Sequence, residues 1–337
     1  MNISRLGKKS FASSRAGALT VAAAAGAAAT AVWVEVRARR AERENPPEGD
    51  FIDIDGVRVH YVLRGEGPPV VLLHGNNVTQ ADFSASGLLD RLAKTHQVIA
   101  FDRPGYGHSA RPRDRLWHPT AQAALFHTAL ARLGIEQPVI FGHSMGTMVA
   151  LAMALDFPAD VRGLVLAGGY YYPSLRVDAL LTAPVALPVL GDAMRYTVTA
   201  LSARAMLDGL VKGMFAPKEV PVNFLPTLSR EMLLRPVQLR ANAEDAAFMI
   251  PAARTLCSRY GELKLPVTLI AGADDLVVDV KAHSTRLHSE LPHSELQVVP
   301  ETGHMVHHIA QDAIVAAIDK ALTASDAPPV SQPQQSE

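Results

Sequence analysis

The sequence predicts an α/β fold: a mostly parallel, eight-stranded sheet with helices on both faces and a helical lid inserted after the sixth strand. Three observations predict it. Apolar runs of strand length alternate with helix-length segments from residue 51 onward. Gly142-His143-Ser144-Met145-Gly146 lies between one such run and one such segment. Strand signals then lapse from about residue 170 to 263 and resume afterwards. Strands joined to helices through short loops favour a parallel sheet covered on both sides.

The chain opens with a segment of different character. Residues 1–15 form a basic flank containing Arg5, Lys8, Lys9 and Arg15. Residues 16–34 carry no charge and are mostly alanine; as a helix they reach about 28 Å, just enough to cross a bilayer core. The stretch exceeds a usual signal-peptide apolar region, which favours an uncleaved transmembrane signal anchor. A cleaved signal peptide, with Ala27-Ala28-Ala29 near the cleavage site, would leave a secreted protein. A soluble alanine-rich helix is a third reading. Arg37, Arg39, Arg40 and Arg43 balance the cations on the other flank, so membrane orientation is undecided. Residues 35–50 turn from charged to Pro/Gly-rich and predict a linker.

The core follows in two parts, 51–169 and 264–323. Phe51–Ile54 and 57–62 alternate apolar and polar residues around Asp55-Gly56, a hairpin signal. Residues 69–73 are continuously apolar, as in a strand buried on both faces. Residues 88–94 predict a helix, 97–101 a strand, and 120–133 a helix stopped by Gly134. Residues 138–141 predict the strand before the glycine-flanked serine, and 147–155 the helix after it. Residues 162–167 are the sixth strand. Prolines then recur from 173 to 251, and helical patterns such as 236–256 dominate the lid, 170–263. An insertion there would cover the carboxyl ends of the strands, where open α/β sheets bind ligands; an independent interaction domain is the alternative. Residues 266–271 and 296–299 complete the sheet, 305–322 predict a last helix, and 324–337 a disordered tail.

Composition removes several function classes. The formal net charge is -1 with no basic cluster, which excludes a nucleic-acid partner. The single cysteine, Cys257, excludes an internal disulfide. No cysteine or histidine spacing suggests a metal, and no cofactor is implied.

Acyl transfer by serine needs a base for the hydroxyl proton, a carboxylate to orient the base, and donors for the oxyanion. At a tight strand-to-helix turn a serine projects from the sheet edge, and Gly142 and Gly146 let strand and helix close around it. In chain order the acid and the histidine should follow Ser144. Asp274 and Asp275 follow the strand ending at Ala271, and His304 follows the last strand, 29 residues beyond Asp275. All three groups therefore leave strand ends.

The chain resembles the cap-bearing α/β-hydrolases, which include esterases, lipases, epoxide hydrolases and dehalogenases. The resemblance rests on His74-Gly75-Asn76, Asp102-Arg103-Pro104-Gly105-Tyr106-Gly107-His108-Ser109, the Gly142–Gly146 turn, Gly272-x-x-Asp275 and Gly303-His304. These span roughly residues 51 to 322. The resemblance implies Asp275 rather than Asp274 as the triad acid, and backbone amides of Asn76 and Met145 as oxyanion donors. His74 and Gly75 would support that loop. Relatives acting on epoxides or alkyl halides attack with aspartate. A serine would form an ether that water does not readily cleave, so the chain is not expected to share those activities.

The expected function is cleavage of a carboxylic ester, or a related acyl bond, of a small apolar substrate by Ser144, His304 and Asp275. A cofactor-free perhydrolase or haloperoxidase would use the same triad. So would a carbon–carbon bond hydrolase, although Asn76-Asn77-Val78-Thr79 lacks the usual Gly/Pro/Gly oxyanion loop. A membrane-tethered binding protein on this scaffold would usually lack a triad member.

Other residues have plainer readings. His143 packs beside Ser144, His74 holds the oxyanion loop, and Asp102 and Arg103 form a structural turn pair. Asp274 is solvated. His307 and His308 read as surface residues early in the last helix. Tyr170, Tyr171 and Tyr172 enter the lid and line either pocket or core. The sequon at Asn77 is unsuited to glycosylation because it sits in the oxyanion loop.

Overall fold

Eight strands form one sheet in the computed structural model, which describes residues 6–175 and 177–324. They are β1 (Asp50–Ile54), β2 (Val57–Arg64), β3 (Pro69–Leu73), β4 (Gln97–Phe101), β5 (Val139–His143), β6 (Gly163–Ala167), β7 (Val267–Gly272) and β8 (Glu295–Val299). The order across the sheet is β1-β2-β4-β3-β5-β6-β7-β8. The β1–β2 hairpin joins β4 antiparallel, and every other pairing is parallel. The tail from 325 onward and the first five residues of the basic flank lie outside the described residues.

The continuous apolar runs of β3 to β7 follow from burial on both faces. Val71 and Leu73 point into one core with Met148, Leu151 and Leu155 of the helix Met145–Asp156. Val70 and Leu72 point into the other, with Ile314 and Ile318 of the helix Gln311–Ala324. Burying each such side chain contributes on the order of 1.5–3 kcal/mol. The last helix starts at Gln311 rather than 305, because residues 306–308 form a 3-10 turn.

The insertion is helical, with Val177–Ala186, Leu190–Arg195, Val198–Phe215, Phe224–Leu228, Arg230–Leu233 and Pro236–Cys257. It has its own apolar cluster, including Leu207, Val211, Phe215, Phe224 and Leu233, which packs on Val78, Ala85 and Met305 of the core. Tyr170, Tyr171 and Tyr172 are buried in the main core ahead of these helices, so of their two readings the core one holds.

The linker expectation for 35–50 is corrected. One helix runs from Leu6 to Glu44. The stretch is charged, yet its Glu, Arg and Ala residues form helices well. Glu35 and Arg40 accept or donate across i,i+4 pairs with Arg39 (2.6 Å) and Glu44 (2.7 Å). The helix ends just ahead of Pro46-Pro47, which disfavour helical backbone before them. Its second half docks on the lid: Val34 and Ala41 are buried, Arg37 pairs with Glu231 (3.1 Å), and Glu42 pairs with Arg235 (2.8 Å).

Candidate active site

The strand register gathers the candidate residues at one sheet edge. Leu73 lies opposite Gly142, His143 opposite Ala167, and Gly272 opposite Val299. Residues 74–76, 144, 168, 275 and 304 therefore all begin where strands end. A groove of about 670 Å³ lined by Arg162, Lys264 and Glu295 opens at the other end of β6–β8 and is not part of this edge.

Ser144 has φ 52° and ψ -118°, a left-handed conformation that costs a non-glycine residue roughly 1–3 kcal/mol. Its amide donates to Ala167 O at 2.9 Å, which pins the turn to β6. Gly146 is required by space. A Cβ there would lie 2.1 Å from Leu73 O, and one on Gly142 would lie 2.7 Å from Gly146 O. The helix begins at Met145, so the Met145 amide is one of four that helix geometry leaves without an intrahelical acceptor.

His304 Nδ1 donates to Asp275 Oδ2 at 2.8 Å, with both side chains buried. This fixes the tautomer whose Nε2 is free to accept a proton. The other Asp275 oxygen accepts from the amides of Val277 (2.7 Å) and Val278 (2.9 Å). Asp274 is exposed, and only its amide takes part, donating to Thr302 O at 2.9 Å. His304 lies against both neighbours of the serine turn. Its carbonyl accepts from His143 Nε2 at 3.0 Å, and a Cβ on Gly168 would lie 3.3 Å from its Nδ1. Among the described residues no hydrogen bond joins the Ser144 hydroxyl to His304. Such bonds often tighten only when substrate is bound.

The loop after β3 is held by a buried arginine. Arg103 Nε donates to His74 O (2.9 Å), and Nη2 donates to Gly75 O (3.0 Å) and Asn76 Oδ1 (2.7 Å). Nη1 donates to Gln122 Oε1 (3.2 Å) and Asp245 Oδ2 (2.5 Å). His74 Nδ1 donates to Gly75 O (2.7 Å), and its Nε2 accepts from the Arg103 amide (3.0 Å). The Asn76 side chain is thereby turned toward Arg103 and Tyr106. Asp102 has the structural role expected of it, accepting from the amides of Gln80 and His108 and from His60 Nδ1. Arg103 does more than shape a turn, since it joins the loop after β3 to the helical insertion. Asp245, in the lid helix Pro236–Cys257, was not legible in the sequence. It also accepts from Arg111 Nη2 (2.8 Å) and Tyr106 OH (3.1 Å). Val78 and Thr79 are buried, while Asn76 and Asn77 are partly exposed.

The surface reading of His307 and His308 is corrected. His307 is fully buried and His308 nearly so. Both donate from Nε2 to Asp82, at 2.9 and 2.8 Å. Asp82 sits in the short helix Ala81–Ala85 just beyond the oxyanion loop. Burial works against its charge, but the two histidines outweigh it and hold the carboxyl far below its usual range.

Three buried histidines set an acid limit. Burial pushes His74 down to about 4 and lowers His143 and His307. Each folded value lies below the unfolded value of about 6.5. Their contribution is whole above that value and is lost as pH falls toward the folded ones. The three rings together should make urea midpoints fall as pH drops from about 6.5 to 4. A midpoint constant across that window would contradict the assignment of these rings as neutral.

A family model described as alpha/beta hydrolase fold matches residues 68–310. An uncharacterized protein of Mycobacterium tuberculosis (strain ATCC 25618 / H37Rv) is 30% identical over 278 residues, 78% of this chain and 77% of that one. The 2-hydroxymuconate semialdehyde hydrolase of Pseudomonas putida is 29% identical over 296 residues, 85% of this chain and 98% of that enzyme. Among solved structures, an alpha/beta hydrolase fold protein from Burkholderia ambifaria aligns with a TM-score of 0.67 at 24% identity, over 80% of this chain and 96% of that one. That last likeness is one of fold.

Proposed function

The chain belongs to the alpha/beta hydrolase fold family, and within it we propose a serine hydrolase that cleaves a carboxylic ester, or a related acyl bond, of a small apolar substrate. Ser144 Oγ attacks the acyl carbon while His304 Nε2 takes its proton. His304 then returns the proton to the leaving alcohol. Water, deprotonated by the same imidazole, hydrolyses the acyl-enzyme. Asp275 fixes the tautomer and steadies the imidazolium. The amides of Asn76 and Met145 receive the oxyanion, each contributing about 3 kcal/mol in the transition state. The observation that carries this reading is the buried Asp275–His304 pair set against a serine held at φ 52°.

The adjacent acids supply the test. Asp275→Asn should lower kcat on short p-nitrophenyl esters by about 10⁴-fold, because the wrong tautomer faces the serine. Asp274→Asn should leave it within a few-fold. Equal losses in both variants, or none in either, would remove Asp275 from its role.

The likeness to the Pseudomonas putida enzyme favours one second reading, a carbon–carbon bond hydrolase using the same residues. Turnover of a ring-cleavage semialdehyde faster than any ester would establish it. For localisation we propose that the N-terminal helix is a membrane anchor. Support comes from an apolar stretch beginning at Gly17 that is long enough to span a bilayer and only 6% buried.

A further inference from the structure

The helical insertion carries a second apolar face that the described residues do not cover. In the helix Val198–Phe215, Leu207, Val211, Met214 and Phe215 point into the lid cluster. Val198, Leu201 and Met206 point outward on the opposite side, each at least half exposed. Leu180 and Leu181 of the helix Val177–Ala186, and Leu187 just after it, are exposed to a similar degree. A helix apolar on two sides needs two apolar partners.

Contacts on the N-terminal helix identify the second partner. Trp33 lies at the end of the apolar stretch, with the guanidinium groups of Arg37 and Arg204 at 5.1 and 5.2 Å from its ring. Arg204 belongs to the same helix as Val198, Leu201 and Met206. Glu231 accepts from Arg204 (2.6 Å) as well as from Arg37 (3.1 Å), tying the two helices together. The stretch long enough to enter a bilayer therefore leaves the globular body beside the uncovered lid face. Trp33 and the arginines following it have the composition of a membrane–water boundary.

We propose that this lid face, carried by residues 180–206, seats on the same bilayer that the N-terminal helix enters. The occupant is a lipid surface, met by aliphatic side chains about 5–10 Å deep, as for amphipathic helices lying in an interface. The proposal rests on the anchor reading given above. It adds that the lid is a second membrane contact. The same helix ends against the catalytic loop, where the Met305 amide donates to Met214 O at 3.3 Å, so the seat lies one helix away from His304.

Site-directed quenching tests it on the full chain reconstituted in phosphatidylcholine vesicles. Cys257→Ser removes the native thiol, and single cysteines at Leu181, Leu201, Val32 and Val298 carry an environment-sensitive fluorophore. Val32 lies in the anchor, and Val298 lies on β8 away from the lid. Labels at 181 and 201 should shift to the blue and lose most of their emission to doxyl-labelled lipid, while the label at 298 should do neither. Quenching at 32 with none at 181 and 201 would overturn the proposal and leave the anchor standing. Quenching at 181 and 201 without 32 would support the lid contact and remove the anchor. Equal quenching at 298 would overturn the proposal, because the contact would not be confined to the lid.

Discussion

Replacing Ser144 with alanine is expected to lower kcat on short p-nitrophenyl esters by about 10⁶-fold, the scale seen when one member of a Ser-His-Asp unit is removed. Binding should survive, since the change removes a single hydroxyl and the loop after β3 keeps its contacts with Arg103. The fold should survive as well, because the serine hydroxyl makes no hydrogen bond on which the turn depends. The turn is instead set by the Ser144 amide, which donates to Ala167 O, and by the close approach at Gly142 and Gly146. A further consequence separates activity from stability. Ser144→Gly should be equally inactive yet more stable than Ser144→Ala by about 1 kcal/mol. That figure is the roughly 1–3 kcal/mol of strain relieved at φ 52° less the roughly 0.5–1 kcal/mol entropy cost of glycine. Urea unfolding of both variants measures the difference. An alanine variant that keeps its activity would remove Ser144 from the chemistry.

The largest stability effect is expected at Asp245. Its carboxylate is fully buried and accepts from Arg103, Arg111, Tyr106 and Gln122. Burial alone would raise its pKa, but Arg111 and Arg103 outweigh that and keep it ionised. Asp245→Ala leaves the Arg103 guanidinium buried without a counter-charge and Arg111 with Glu244 alone. Breaking such a pair by removing one partner costs about 3–5 kcal/mol. The loss should also reach catalysis, because Arg103 would release the carbonyls of His74 and Gly75 that shape the oxyanion loop. Arg39→Ala breaks an exposed pair with Glu35 and should cost no more than about 1 kcal/mol. A urea-derived loss for Asp245→Ala as small as that of Arg39→Ala would show that the cluster is not a fastener between the helical insertion and the core.

Much of this arrangement was legible in the chain itself. Continuous apolar runs identified β3 to β7 because strands buried on both faces leave little room for polar residues. The glycines at 142 and 146 marked the serine turn because only they fit where strand and helix touch. What stayed hidden depended on burial of polar groups, which periodicity does not report. Asp245 lies in a polar stretch of helix and looks solvated until the fold sets two arginines against it, one of them 142 residues away. His307 and His308 looked like surface residues for the same reason, since their partner Asp82 lies more than two hundred residues earlier. The helix through 35–44 was mistaken for a linker because charge suggested solvation. Its i,i+4 pairs and its docking on Glu231 and Arg235 make it a firm connection between the apolar stretch and the lid.

Covalent labelling by a fluorophosphonate, followed by peptide mapping, is the most direct measurement of whether Ser144 is activated at neutral pH. One adduct on Ser144 is expected, formed quickly in the native protein and at a rate at least about 10³-fold lower in His304→Ala, which keeps the serine but lacks its base. An adduct on another residue, or equal labelling of Ser144 with and without His304, would contradict the assignment of this site.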